Sequence, residues 1–376
     1  MVHASSPVST ITTTTTTASD ATKDAIARVA RRTFASFEGV IRRQREEFEG
    51  RLRSGIDTVM TYEDEVSQAC ALSVIPVEAL RARGHALARV TDAADAADAD
   101  AASSARERTT TTATGIDSTA MSIEDGTLLA LLAWFKNDFF TWVNAIKCEK
   151  CDVDMVYVRT DSATTDEERE GQAGRVEVYS CASCSALAKF PRFNSPVKLL
   201  ETRRGRCGEW ANAFTLCARA MGYRARWCLD WTDHVWTEVW SENQRAWLHC
   251  DSCENVCDKP LLYEQGWGKK LTYVIAFSVE GIVDVTRRYV KDMNVVRPRR
   301  GEVYEVWLKQ TLKSLTNELR IKRGFLPDEI QHLEREDARE QEELSLDAKD
   351  VGESLPGRRS GSIAWRRARG ELGNDS

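Results

Sequence analysis

Three side chains spaced along the chain, Cys207, His234 and Asp251, supply a thiol, an imidazole and a carboxylate in surroundings suited to acyl transfer. Residues 203–222 read RRGRCGEWANAFTLCARAMG, with Gly205 and Gly208 bracketing Cys207 and a helical apolar pattern of Trp210, Ala213, Phe214, Cys217 and Met221 behind it. The pattern predicts a helix that starts at Cys207. Unpaired backbone N–H groups and the positive end of the helix dipole favour a thiolate there, and they can hold an oxyanion. Cys217, deep in that helix, and Cys228, in a following strand, are assigned to packing.

Residues 233–240 read DHVWTEVW, and strict alternation puts His234, Trp236, Glu238 and Trp240 on one face of a strand. Residues 246–251, AWLHCD, fit an antiparallel partner carrying Trp247, His249 and Asp251 on one face. His234 and Asp251 then become neighbours, facing the start of the Cys207 helix. A nucleophilic thiol, an imidazole to move a proton and a carboxylate to orient the imidazole are the generic parts of acyl transfer from an amide. His249 is a rival base, but it lies two residues from Asp251 on the same strand, whereas such groups normally come from separate elements.

A second set of cysteines has metal-ligand spacing. Cys148 and Cys151 form one CxxC and Cys181 and Cys184 another, with the 29 residues 152–180 between them. Four thiolates in a tetrahedron suit a closed, structural zinc site. The spacer exceeds that of common zinc ribbons, so an acidic loop near residues 164–171 must protrude from a hairpin. A redox dithiol or buried unligated cysteines remain the alternatives. The run Cys250, Cys253, Cys257 offers only three thiols, and Cys250 sits in an apolar alternating stretch where a buried structural cysteine is the ordinary reading.

These residues need a scaffold, and a chain of 376 residues can bury a sizeable core as one large domain or two smaller ones. Residues 1–22 are Ser/Thr-rich, with threonine throughout 12–17, and are expected to be disordered. From 23 to 55, Ile26, Val29, Phe34, Phe37, Ile41 and Phe48 recur at helical spacing and predict an amphipathic helical segment. Residues 56–310 form the expected catalytic core, with a low-complexity insertion at 92–119 and a zinc-binding subdomain at 145–190. Charged helices over 311–350 and a Gly/Arg-rich tail over 351–376 complete the expected layout.

The formal net charge of −6 gives no general pull toward nucleic acid, although a local basic patch is compatible with it. No apolar run approaches the roughly 20 residues needed to span a bilayer, and the start lacks the apolar stretch of a signal peptide. The expectation is a soluble, intracellular protein without membrane insertion. In that setting the 11 cysteines are metal ligands, a reactive thiol and buried apolar residues rather than disulfide partners.

The blocks GRCGEWANAFTL, DHVWTEVW and HCDSCENVCDKPLLYEQGWGKKLTYVIAF resemble the catalytic blocks of cytoplasmic peptide:N-glycanases. WFKNDFFTWVN, ALSVIP, DVTRRY and LPGRRSGS extend the resemblance over about residues 60–90 and 120–310 and into the tail. It implies an α+β fold: a papain-like, transglutaminase-like core with a zinc-binding four-cysteine subdomain and flanking helices. It implies a triad at Cys207, His234 and Asp251 and zinc on Cys148, Cys151, Cys181 and Cys184. Glu254 matches a substrate-contacting glutamate of the family. Trp142, expected on the helix ahead of the zinc site, and Trp236 are candidates for the substrate cleft, with Trp247 beside them.

The implied activity is hydrolysis of the glycosylated asparagine side-chain amide of misfolded glycoproteins, in the cytoplasm and also the nucleus, during ER-associated degradation. The implied partner is a proteasome shuttle factor, for which the helix near 25–53 and those over 311–345 are the available surfaces; bracing of the core is the equal alternative for these helices. The aspartate block reads DSC where DPC is commoner, and the Asp/Thr-rich insertion is unusual; neither removes a reacting group. The same superfamily offers two alternatives, a thiol protease or true transglutaminase and a noncatalytic scaffold. Presence of all three triad residues argues against the scaffold.

Overall fold

The computed structural model describes residues 20–89, 121–346 and 354–373. Most of the Ser/Thr-rich start, the insertion at 92–119, residues 347–353 and residues 374–376 lie outside it. The chain divides into two compact units at Gly50, and the candidate site lies in the unit that begins at Arg51.

Helices α1 (Asp20–Met60), α2 (Glu65–Val74), α3 (77–89) and α4 (Ile123–Trp134) open the described chain. A π-helical turn, Phe135–Phe139, leads to β1 (Thr141–Trp142). The cysteine-rich region follows as β2 (Val156–Asp161), α5 (Asp166–Glu170), β3 (Arg175–Ser180) and β4 (Leu187–Arg192). Then come α6 (Pro196–Thr202), β5 (Arg204–Gly205), α7 (Cys207–Ala220), β6 (Ala225–Asp230), β7 (His234–Ser241), β8 (Ala246–Asp251) and β9 (Val256–Cys257). β10 (Val274–Phe277), β11 (Ile282–Asp284), α8 (Met293–Val296), α9 (Glu305–Arg323), α10 (Pro327–Glu343) and α11 (Ile363–Ala368) complete it.

Six strands form one sheet in the order β11-β10-β6-β7-β8-β9, every neighbouring pair antiparallel. α7 packs across β6 and β7, where buried Thr215 and Thr237 hydroxyls meet at 2.7 Å. Alternation along β7 sends Trp236 the other way, into a core with Cys228, Tyr263, Trp267, Val274 and Tyr289. One face of the sheet thus holds the helix, and the other is closed by segments that follow β9. This mix of helices and a largely antiparallel sheet is the α+β class that the sequence implied.

Before α7, aromatic packing sets the approach of the chain. Phe135 lies 5.6 Å from Trp210 and 5.4 Å from Phe214, ring centroid to ring centroid, and Phe140 lies 5.1 Å from Trp210. This cluster fixes the end of α4 on α7, and extended backbone from Phe140 pairs β1 with β5 in parallel. Trp142 therefore stands opposite Gly205 on a strand, a correction to the helical placement expected for it.

The smaller sheet has the order β2-β3-β4. Its edge strand β2 is exposed from Val156 to Thr160. The buried residues beneath it number six, Val143, Cys148, Met155, Tyr179, Cys181 and Phe190, two of them cysteines.

Candidate active site

Cys207 occupies the first position of α7, half-buried, after Arg206 in extended backbone. Gly205 allows this tight entry, because a Cβ there would lie 2.3 Å from Cβ of Glu209. Glu209 reaches back to accept from Arg206 N at 2.9 Å and is itself gripped by Arg192 through Nε at 2.5 Å and Nη2 at 2.9 Å. The helix start is therefore fixed by a buried ion pair with its carboxylate in the first turn, leaving the backbone N–H groups beside the thiol without an intrahelical acceptor.

His234 begins β7, directly after a three-residue hairpin loop. Asp230 pairs with His234 across the loop, and Asp233 closes it with φ of 72°, the left-handed position such loops need. Asp230 anchors the turn by accepting from Thr232 N at 2.8 Å and from Lys269 Nζ at 2.7 Å. Asp251 ends β8 and is fully buried. Its Oδ1 accepts from Glu254 N at 3.1 Å, while Oδ2 meets His234 Nε2 at 2.8 Å and accepts from the Tyr263 hydroxyl at 2.9 Å.

A carboxylate accepts and does not donate, so Nε2 of His234 carries the hydrogen in that contact. Burial, then Arg358 and Lys269, hold the imidazole well below its ordinary pKa, against the opposing pull of Glu371. The neutral ring has its lone pair on Nδ1, which is buried and has no hydrogen-bond partner among the described residues. The ring is wedged by Trp267 at 4.9 Å, Tyr263 at 5.1 Å and Trp236 at 5.8 Å. It is a base with a fixed tautomer and orientation, free on one nitrogen.

The Arg358 guanidinium joins the two parts, 4.6 Å from the Trp267 ring that packs on His234 and 5.6 Å from the ring of Trp142, which stands opposite Gly205 just before Cys207. Burial pushes the Cys207 thiol up; Arg358 is the largest influence pulling it down, Asp233 and Glu209 push it up, and Arg192 pulls it down. Buried Cys253, on the turn after Asp251, feels Asp251, Cys207 and Arg358 together. The start of α7, the β6–β7 hairpin and the end of β8 thus converge on one site.

The rival and supporting residues separate clearly. His249 Nε2 binds the Tyr263 hydroxyl at 2.7 Å, so it supports Asp251 through Tyr263. Trp236 is fully buried, stacked on Tyr263 at 4.3 Å with Nε1 donating to Tyr289, and so offers no face to a ligand, contrary to the expectation for it. Trp142 is half-buried between Trp210 and Trp365. Glu254 is also buried, and its two oxygens accept from the backbone of Arg359 at 2.9 Å and Ser360 at 3.0 Å. Tyr263, Trp267 and Arg358 were not singled out from sequence, although each falls inside a quoted family block.

The four cysteines 148, 151, 181 and 184 gather so that their sulphurs all lie within 4.8 Å of one another, and they can hold a metal ion. Cys148 and Cys184 sulphurs are 3.6 Å apart, close to the roughly 3.8 Å edge of a tetrahedron with metal–sulphur bonds near 2.3 Å. Burial works against ionising Cys181, yet the backbone N–H groups of Cys184 and Ser183, together with the thiols of Cys184 and Cys148, bring it down to about 6. Among the described residues no other group of histidine, cysteine and acidic side chains gathers in this way. The Cys250 and Cys257 sulphurs are 3.9 Å apart across β8 and β9, and Cys253 is buried on the turn between them.

The transglutaminase-like superfamily model matches residues 156–252, and the Rad4 transglutaminase-like domain model matches residues 231–345. Curated peptide-N(4)-(N-acetyl-beta-glucosaminyl)asparagine amidases align along most of the chain. The Gallus gallus protein is 44% identical over 320 residues, covering 84% of this chain and 45% of its own length. The Homo sapiens protein is 45% identical over 324 residues, covering 86% and 46%. The Yarrowia lipolytica protein is 44% identical over 256 residues, covering 67% of this chain and 71% of its own length. The chain belongs to this amidase family. It spans a little under half the length of the animal members it matches. A solved structure of Rad4–Rad23 bound to a 6-4 photoproduct UV lesion aligns at a TM-score of 0.45 and 16% identity, covering 84% of this chain and 60% of that one. No described helix is long and apolar enough to cross a membrane.

Proposed function

We propose that this chain hydrolyses the amide joining an N-glycan to asparagine, with Cys207 as nucleophile, His234 as proton carrier and Asp251 as its orienting partner. The observation that carries the reading is the His234–Asp251 pair, with Nδ1 left bare in the site that the start of α7 enters, in a chain of the amidase family. Cys207 Sγ attacks the side-chain carbonyl carbon, and its proton passes to Nδ1 of His234. The C–N bond breaks as that proton moves to the departing glycosylamine, leaving a thioester on Cys207. His234 then takes a proton from water, whose oxygen attacks the thioester; the sulphur leaves and recovers a proton, and asparagine has become aspartate. The Cys207 N–H at the helix start is a donor for the oxyanion.

Glu254, on the turn after Asp251, and Trp142, with a half-buried ring, are the remaining candidates for sugar contact. Cys148, Cys151, Cys181 and Cys184 would hold a zinc ion with no open position, supplying structure and taking no part in the reaction. An extended, unfolded glycoprotein delivers a glycosylated asparagine to such a cleft more readily than a packed domain does. Denatured glycoproteins in the cytoplasm are therefore the proposed substrates, and a proteasome shuttle factor the proposed partner. Nucleic acid and membrane are not proposed as partners.

The deciding experiment incubates a purified glycopeptide with the chain in water labelled with heavy oxygen. Free glycan plus a peptide bearing aspartate with one labelled oxygen is the expected result. Peptide-bond cleavage or cross-linking to an amine would instead assign a thiol protease or transglutaminase, and no turnover would assign a noncatalytic scaffold.

A further inference from the structure

Tyr263 ends a short 3-10 helical turn, Pro260–Leu262, that follows β9. Trp236 stacks on its ring at 4.3 Å and Trp267 meets it edge-on at 4.9 Å, so a phenylalanine would fill the same space. The core does not require the hydroxyl. That hydroxyl lies 2.9 Å from Asp251 Oδ2 and 2.7 Å from His249 Nε2, and the same Oδ2 lies 2.8 Å from His234 Nε2. All four side chains are buried.

Asp251 sets the direction of every hydrogen in this run. A carboxylate only accepts, so Tyr263 donates to Oδ2, and a hydroxyl has one hydrogen to give. His249 must then donate from Nε2 to the Tyr263 oxygen, which leaves its Nδ1 bare; that nitrogen is buried with no partner among the described residues. Burial, against the pull of Asp251 and Glu238, brings His249 down to about 4, and burial, then Asp251, raises Tyr263 well above its ordinary value. Both groups are therefore neutral at rest. An imidazole and a hydroxyl buried here, one with an unmade acceptor, cost stability where apolar side chains would pack, so the arrangement calls for a role at Asp251.

We infer that Tyr263 is a positioning residue for the proposed reaction: its hydroxyl, aimed by His249, shares Asp251 Oδ2 with His234 and so limits how tightly the carboxylate holds the imidazole. The inference rests on the reading of His234 as proton carrier. In that reaction the Cys207 proton passes to Nδ1 and on to the departing amine, while the Nε2 hydrogen stays where it is. A carboxylate with fewer donors would bind the imidazolium more strongly and slow the release of the Nδ1 proton. Glu254 N on Oδ1 and Tyr263 on Oδ2 take up part of that negative charge instead. His249 acts one step further back, since a donor on the hydroxyl oxygen makes the hydroxyl a stronger donor in turn.

The test is NMR of the full, metal-loaded chain with its histidines labelled in heavy nitrogen, the ring signals assigned through His234→Gln and His249→Gln. At neutral pH both rings are expected to carry hydrogen on Nε2 and none on Nδ1. Hydrogen on Nδ1 of His249 overturns the inference, because Tyr263 would then donate to His249 and not to Asp251. In Tyr263→Phe the His234 Nε2 proton is expected to move downfield as its bond to Asp251 tightens. In the same variant kcat for glycan release from a glycopeptide should fall about tenfold, the size of one hydrogen bond to a charged group, with KM kept within about twofold. A merely structural hydroxyl would lower the melting temperature and leave both readouts alone. An unmoved or upfield proton overturns the inference, as does an unchanged kcat. If near-ultraviolet circular dichroism shows Tyr263→Phe unfolded, a fluorinated tyrosine at position 263, a stronger donor of nearly the same shape, decides in its place: an upfield shift supports, no change overturns. The spectra need no glycan, so a chain that shows the expected shifts and releases none would sink the amidase reading alone.

Discussion

The six-stranded sheet and the three-stranded sheet solve the same problem, holding reactive sulphur in place, by opposite means. Around His234 the geometry is over-determined by hairpin register, a buried carboxylate with three partners and a cage of aromatic rings. Around Cys148 and Cys181 only a small apolar cluster lies beneath a sheet whose edge strand faces water. The first arrangement is held by the protein's own contacts; the second gathers four sulphurs that can hold a metal ion. Functional substitutions should therefore cost activity in one region and folding in the other.

The largest effect tests the first half of that contrast. Cys207→Ala and His234→Ala are each expected to lower glycan release at least about a thousandfold, because the three groups act as one unit. Cys207→Ala should keep the wild-type melting temperature. Asp251→Ala should lose stability as well as activity, since it strands Glu254 N, His234 Nε2 and the Tyr263 hydroxyl, each worth about 1–3 kcal/mol when unpaired and buried. Residual release above about a tenth of wild type in Cys207→Ala would remove it as nucleophile.

The second effect tests the other half. Metal analysis is expected to find one zinc per chain, lost in Cys148→Ser with Cys181→Ser, because structural zinc contributes roughly 10–16 kcal/mol to forming such a site. Hydrogen exchange should then show β2, β3 and β4 opening while β6, β7 and β8 stay protected. Zinc retained by the double variant would erase the contrast.

Next comes acid. Glu340 is held down to about 2 because Arg226 and Arg288 outweigh the cost of its burial. A carboxyl depressed in the fold stabilises it above the ordinary range near 4.5 and loses that contribution as pH falls toward 2. Stability of the larger sheet should drop by a few kcal/mol through this window, and Glu340→Gln should flatten that part of the pH profile. An unchanged profile would show that this buried pairing does not govern acid stability. The smallest effect is Cys217→Ala, fully buried in α7 away from the chemistry: about 1 kcal/mol of stability lost, with glycan release kept.

Local rules made part of this legible. Alternation over 233–240 and 246–251 gave the shared face of His234 and Asp251, the glycines around Cys207 marked a helix start, and the paired CxxC spacing brought four sulphurs together. Alternation does not say what covers a face, however, and that is why Trp236 looked available although Tyr263 and Tyr289 bury it. Trp142 was placed on a helix because apolar residues continue past α4, and the change to strand comes from pairing with β5, some sixty residues away. Arg358 and Trp267 reach the site only through folding of the tail and of the segment after β9, contacts for which no periodicity exists.

Glu238 sits four residues along β7 from His234, and Arg226 and Arg288 bridge it to Glu340 on α10. These two arginines are almost wholly buried, so they tolerate their position only while both carboxylates are present. Breaking such a pairing costs about 3–5 kcal/mol for each buried charge left alone. The charged helix after Gly324 is thus tied to the core behind the strand that carries His234. Removing α10 would leave Arg226, Arg288 and Glu238 without Glu340 behind that strand, outside the hydrogen bonds that hold Asp251.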